Sequence, residues 1–143
     1  MRKQSKRRIR DASEPGLTRL FCTPEISIAE RMAVTALVSG FATYDNSYRV
    51  LADCHGLLSI ECKRKRDAAM NPILAAGYVA LLNIHDRARE TRRYGATGEE
   101  VAALRAMVDY AEDHWKRQPF LRMQEAIVLL RQVREKQIKE MKK

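Results

Sequence analysis

Apolar residues return at steps of three and four along most of this chain, and the breaks between such stretches fall on Pro, Gly and short polar runs. That spacing predicts α-helices joined by short loops, and no period-two alternation of useful length argues for a strand. The first helix is expected to begin near Thr23 or Ser27. Thr23 precedes Pro24, which suits a first helical position, and Ser27-Ile28-Ala29-Glu30 has the form of a capping box. Ile28, Met32, Val34, Leu37, Val38 and Phe41 then carry it to about Gly40.

After the polar break Tyr44-Asp45-Asn46-Ser47, a second helix is marked by Val50, Leu51, Cys54, Leu57, Leu58 and Ile60, and it runs on into Lys63-Arg64-Lys65-Arg66. Cations there suit the negative end of the helix dipole. Asn71-Pro72 reads as the cap and first turn of a third helix that reaches about Arg93, with Gly95 as its stop. Its first half, Ile73 to Ile84, is nearly all apolar or small and is expected to be the most buried stretch of the fold. Thr97-Gly98-Glu99-Glu100 is a second capping box, opening a helix to about Arg117 with Val101, Leu104, Val108, Ala111 and Trp115 inward. Gln118-Pro119 breaks the chain. A fifth helix starts near Phe120, with Met123, Ile127, Leu130, Val133 and Ile138 on its inner edge and its last turns projecting. The expected fold is all-α, a four- to five-helix antiparallel bundle. Residues 1–16 are expected to be a disordered basic arm, and residues 17–143 one helical domain whose basic C-terminal helix end projects.

Length and composition fit this. A chain of 143 residues makes one domain and buries a substantial core. Three cysteines, an odd number, point to a reduced cytoplasmic setting rather than a disulfide framework. The apolar run from Ile73 to Ile84 is shorter than the roughly 20 residues a membrane span needs, so no membrane partner is expected.

Charge changes the picture more. The formal net charge is +9, yet residues 11–130 hold 15 Lys/Arg against 16 Asp/Glu. The excess sits at the ends: Arg2, Lys3, Lys6, Arg7, Arg8 and Arg10 at one, and Arg131 to Lys143, including Lys139, Lys142 and Lys143, at the other. Clustered cations without an ordered scaffold suffice for polyanion binding by counterion release. Lys63, Arg64, Lys65 and Arg66 form an internal block, and Arg87, Arg89, Arg92 and Arg93 another. In an antiparallel pair these two blocks fall at opposite ends of the bundle, about 30 Å apart for a twenty-residue helix. Tyr44, Tyr48 and Tyr94 are the only rings near them in sequence, little aromatic interleaving for a single-strand stacking platform.

Other chemistry is thin. Cys54, His55 and Cys62 invite a zinc reading, but two sulfurs eight residues apart on one helix are separated by about 12 Å of rise, too far to share one ion. No metal or cofactor is expected. Asp113 and His114 are neighbours on a helix and point about 100° apart, so they form no acid–base pair; His114 is expected on the surface and Trp115 in the core. No glycine-rich phosphate loop, nucleophile elbow or paired-carboxylate spacing is present.

Two resemblances bear on function. Tyr94-Gly95-Ala96-Thr97-Gly98-Glu99-Glu100, continuing through Ala103-Leu104-Arg105-Ala106 to Asp109, resembles a pattern in small helical proteins of proteobacterial phages and other mobile elements, which implies such an origin and carries over no functional residues. Arg49-x5-His55 resembles the Arg-x4–6-His motif of HEPN-type ribonucleases, also small helical proteins. Together with the charge, the expectation is a non-enzymatic binding protein that contacts nucleic acid or a nucleoprotein through its basic ends, with self-association left open. The alternative is an effector of a host protein complex that binds through exposed groups such as Tyr44, Tyr48, Phe120 and Leu121. A HEPN-like ribonuclease is the enzyme outsider.

Overall fold

In a computed structural model the described residues are 15–142, with side chains described from Glu25 onward. Five α-helices, α1 (Pro15–Ser39), α2 (Arg49–Lys65), α3 (Met70–Thr91), α4 (Gly98–Lys116) and α5 (Phe120–Met141), form the all-α bundle that the periodicity predicts, with no strand among the described residues. A single π-helical turn, Tyr44–Tyr48, leads into α2. Thr43 and Asn46 cap that turn reciprocally, the Thr43 hydroxyl accepting from Asn46 N and the Asn46 side chain accepting from Thr43 N.

Helix α2 lies at the centre and packs against all four other helices; α4 packs against both α1 and α3. Leu51, Leu58, Met70, Ile84, Leu104 and Met107 are fully withdrawn from water. Burying side chains of this size contributes roughly 1.5–3 kcal/mol each. The stripe expected on α4 is buried at every position, Val101, Leu104, Val108, Ala111 and Trp115. Its capping box is also present: Thr97 Oγ1 accepts from Glu100 N, and Glu100 reaches back to Thr97 N. Glu112–Lys116 and Asp113–Arg117 pair along the same helix.

Several elements differ from expectation. Helix α1 begins at Pro15, well before Thr23. Ser27 and Glu30 therefore lie inside the helix, buried in line with Ala33, Val34 and Leu37, and cap nothing. Helix α3 begins at Met70, and the turn before it is closed by Asp67, whose carboxylate accepts from Ala69 N. Asn71 is not the cap; its side-chain oxygen accepts from the Cys62 thiol at 3.1 Å. The helix stops at Thr91, where Arg92 turns left-handed and its N–H returns to Ala88 O, so the stop is not Gly95.

Helix α3 is also not buried all round. Its principal neighbours are α2 and α4, so one stripe, Leu74, Gly77, Ala80, Leu81, Ile84 and Ala88, faces inward. Tyr78 (56% exposed), Val79 and Leu82 face out. On α5, Met123 is buried and Ile127 and Leu130 half-buried, but Val133 and Ile138 are exposed.

Three contacts fix the direction of α5. Arg122 Nε lies 4.0 Å from Glu61, Leu130 packs onto Gly56, and Arg134 pairs with Asp53. Helix α5 thus runs antiparallel to α2, and its last turns pass the point where α2 begins.

Candidate functional site

The bundle has two chemically distinct ends. At the first, α2 ends, α3 begins, α4 ends and α5 begins. Glu61 falls on the inner stripe of α2, at steps of three, four and three from Leu51, Cys54 and Leu58, and its side chain is 0% exposed. Oε2 accepts from Arg64 Nε at 3.1 Å and Nη2 at 2.7 Å. Oε1 lies 3.8 Å from His114 Nε2 and 4.0 Å from Arg122 Nε, beyond hydrogen-bond reach of either. A carboxylate held so deep needs charged partners, and Arg64 of α2 and Arg122 of α5 supply them.

His114 is buried, 6% exposed, not on the surface as its neighbours in sequence suggest. It stacks on Tyr110 and meets Trp115 edge-on. The buried face of α4 is wide enough to take in both 114 and 115. Burial holds the His114 imidazole below its usual pKa, against the attraction of Glu61. The Tyr110 hydroxyl donates to Asp67 at 2.9 Å and is pushed up by burial and that carboxylate.

The basic block at this end therefore divides. Arg64 turns back onto Glu61, whereas Lys63, Lys65 and Arg66 stand exposed with no carboxylate within 4.0 Å among the described residues.

At the second end, α1 stops, α2 begins, α3 stops and α4 begins. Here Tyr44, Tyr48, Tyr94 and His85 converge. Tyr44 and Tyr48 stack with centroids 5.6 Å apart, Tyr94 lies 5.8 Å from Tyr48 and 6.3 Å from Tyr44, and His85 lies 5.3 Å from Tyr48. Tyr94 stands far from Tyr44 and Tyr48 in sequence, so spacing along the chain hid the cluster. The one available signal was that each tyrosine flanks a predicted helix end.

The cations at this end divide as well. Arg87 bonds the Glu100 carboxylate and Gly95 O, closing the loop between α3 and α4, and its guanidinium holds Glu100 below the usual carboxylate range. Arg89, Arg92 and Arg93 are exposed and have no carboxylate within 4.0 Å among the described residues. The projecting turns of α5 bring Lys136, Lys139 and Lys142 toward this same end. Lys139 and Lys142 are thus remote from Lys63, Lys65 and Arg66. Lys143 and the arm residues Arg2, Lys3, Lys6, Arg7, Arg8 and Arg10 lie outside the described residues.

The remaining candidates separate. Cys54 is buried against Glu30, and burial pushes its thiol up; Cys62 donates to Asn71. No group of three His, Cys, Asp or Glu converges among the described residues in a way that would hold a metal. Arg49 faces Asp45 at 4.0 Å, while His55 Nε2 donates to Leu74 O at 3.0 Å. Burial lowers the His55 pKa. Asp113 pairs with Arg117 and not with His114. Tyr44 and Tyr48 sit at one end, Phe120 and Leu121 at the other, so these four form no single face. No described helix is long and apolar enough to cross a membrane. No family model, curated protein or solved structure matches this chain.

Proposed function

We propose that this is a non-enzymatic binding protein, an accessory factor of a phage or other mobile element, that contacts nucleic acid or a nucleoprotein through its basic ends. One observation carries the reading: the cations left without carboxylate partners concentrate at the ends. Along the body Arg31 serves Asp109 and Glu112 and Arg134 serves Asp53, and at the ends Arg64 serves Glu61 and Arg87 serves Glu100. Lys63, Lys65, Arg66, Arg89, Arg92, Arg93, Lys136, Lys139 and Lys142 have no such partner among the described residues, and along the body Arg105 and Arg131 share that state. Charges left unneutralised by the fold are the ones available to release counterions from a phosphate backbone. Titrating the full chain into a labelled duplex and a labelled single strand at several salt concentrations tests this. Log affinity should fall steeply with log salt, and deleting residues 1–10 should flatten the slope. A flat dependence in the intact chain overturns the reading.

An effector of a host protein complex is the second reading, favoured by the exposed apolar stripe of α3, where Tyr78, Val79 and Leu82 share one face. Deleting residues 1–10 should leave that binding intact, and partner capture should then survive nuclease treatment of the lysate.

A further inference from the structure

The second end of the bundle combines features that duplex binding does not need. A duplex presents phosphates and groove edges, and its base faces are covered by stacking. An aromatic cluster beside unpaired guanidinium groups suits the opposite case, a base with a free face and a phosphate next to it.

Tyr44 is the outermost ring, 49% exposed, and its plane lies 29° from that of Tyr48 beneath it. The stack therefore ends in a ring that Tyr48 and Tyr94 support and that stays half exposed to solvent. Tyr94 and His85 brace Tyr48 from the α3 side. Beside Tyr94, a shallow hollow of about 660 Å³ is lined by Thr91, Arg93, Gly95, Ala96, Thr97 and the already engaged Arg87. Arg93 lines this hollow and Arg89 and Arg92 stand exposed near the same end of α3, all three without carboxylate partners among the described residues. The acids of this end include Asp45, Asp86, Glu90, Glu99 and Glu100; Asp45 faces Arg49 and Asp86 faces His85, each at 4.0 Å, and Glu100 is engaged by Arg87. An acidic peptide would use the guanidinium groups but has no need of the rings.

We infer that this end binds unpaired nucleotides, such as a single-stranded overhang. Tyr44 stacks on a base, and Arg92 and Arg93 hold its phosphates. The inference rests on the nucleic-acid reading above and assigns it one location and one strand form.

The experiment uses the full chain with three labelled probes: a short oligothymidine, a blunt duplex of the same length, and polyglutamate. Fluorescence anisotropy gives the affinities of the wild type, Tyr44→Ala, Tyr44→Phe and Arg92→Gln/Arg93→Gln. Tyr44 is exposed, and Tyr44→Phe keeps the ring, so loss of fold and loss of stacking separate. Tyr44→Ala should bind oligothymidine roughly tenfold more weakly, within the range for losing one stacked base, and should bind the duplex unchanged. Tyr44→Phe should bind as the wild type does, and the double arginine variant should lose single-strand affinity with a shallower salt slope. If the wild type binds duplex but Tyr44→Ala binds oligothymidine as the wild type does, this inference falls and the nucleic-acid reading stands. Polyglutamate binding that matches oligothymidine in strength and arginine dependence, with no effect of Tyr44→Ala, also overturns it. If the wild type binds neither nucleic acid at low salt, both fall.

Discussion

His114 Nε2 lies 3.8 Å from Glu61 Oε1, and neither atom has a hydrogen-bond partner among the described residues although both are buried. The pair joins α4 to the centre of the bundle, and Arg122 of α5 comes within 4.0 Å of the same oxygen. Glu61 is fully buried while its arginine partners keep access to water. Glu61→Gln should cost about 1–3 kcal/mol, because the amide weakens the bonds from Arg64 and leaves a buried polar group incompletely matched. Glu61→Met should cost less, since it removes the buried charge along with its orphan oxygen and lets both arginines turn to solvent. Urea unfolding of both variants checks the order. A costlier Met variant would show that the ion network outweighs its desolvation.

Glu30 gives the fold a pH dependence of unusual sign for an acid. Burial is the main cause that raises its pKa from 4.5 to about 7, against smaller lowering effects from Cys54 and Arg31. Its folded form therefore holds a proton more tightly than the unfolded chain does. The stability it contributes is full below about pH 4.5 and is lost as pH rises through about 7. Glu30→Gln should abolish that loss and raise stability at pH 8 by on the order of 2–3 kcal/mol. Thermal unfolding of wild type and variant between pH 5 and 8 checks it.

The histidines oppose this slope. Burial lowers the pKa values of His114 and His55 below the ordinary 6.5. Protonation then favours the unfolded chain, so stability falls as pH drops through 6.5 toward the folded values. In a Glu30→Gln background the remaining acid-side loss should belong largely to these two residues. His114→Gln in that background should reduce it, as read from Tm between pH 7 and 5.

The α4 cap is open to a simple test. Thr97→Ala removes the hydroxyl that accepts from Glu100 N at 3.3 Å. It should cost about 1 kcal/mol, and Thr97→Ser should recover most of that. Far-ultraviolet circular dichroism during thermal unfolding reads both.

Gly56 is where Leu130 of α5 packs onto the backbone of α2. A Cβ there would stand 2.7 Å from Leu130 Cδ1. Alanine is the better helix former by about 1 kcal/mol, but the clash opposes the gain. Gly56→Ala should be clearly more favourable in a Leu130→Ala background than in the wild type. A double-mutant cycle by urea unfolding measures the difference.

Much of this architecture was legible in local chemistry. The Thr97–Glu100 box, the stripe from Val101 to Trp115 and the break at Pro119 need only neighbours a few residues away, and they stand where the spacing puts them. Glu61 was visible in principle, as an acid continuing the stripe of Leu51, Cys54 and Leu58. Its burial was not, because the compensating cations come from its own next turn and from α5, far away in the chain. Helix α3 misled for the same reason: apolar content states what a face is able to bury, and the number of neighbouring helices states what it does bury.

Contiguous stretches of chain suffice for the helical class, most helix ends and the placement of surplus charge, since each follows from spacing, caps and composition. Only the tertiary structure decided which cations stay unpaired, that Tyr44, Tyr48 and Tyr94 meet, and that the end of α5 lies toward them rather than toward Lys63, Lys65 and Arg66. Those outcomes depend on which helix ends are brought together, and that is set by packing between residues far apart in the chain.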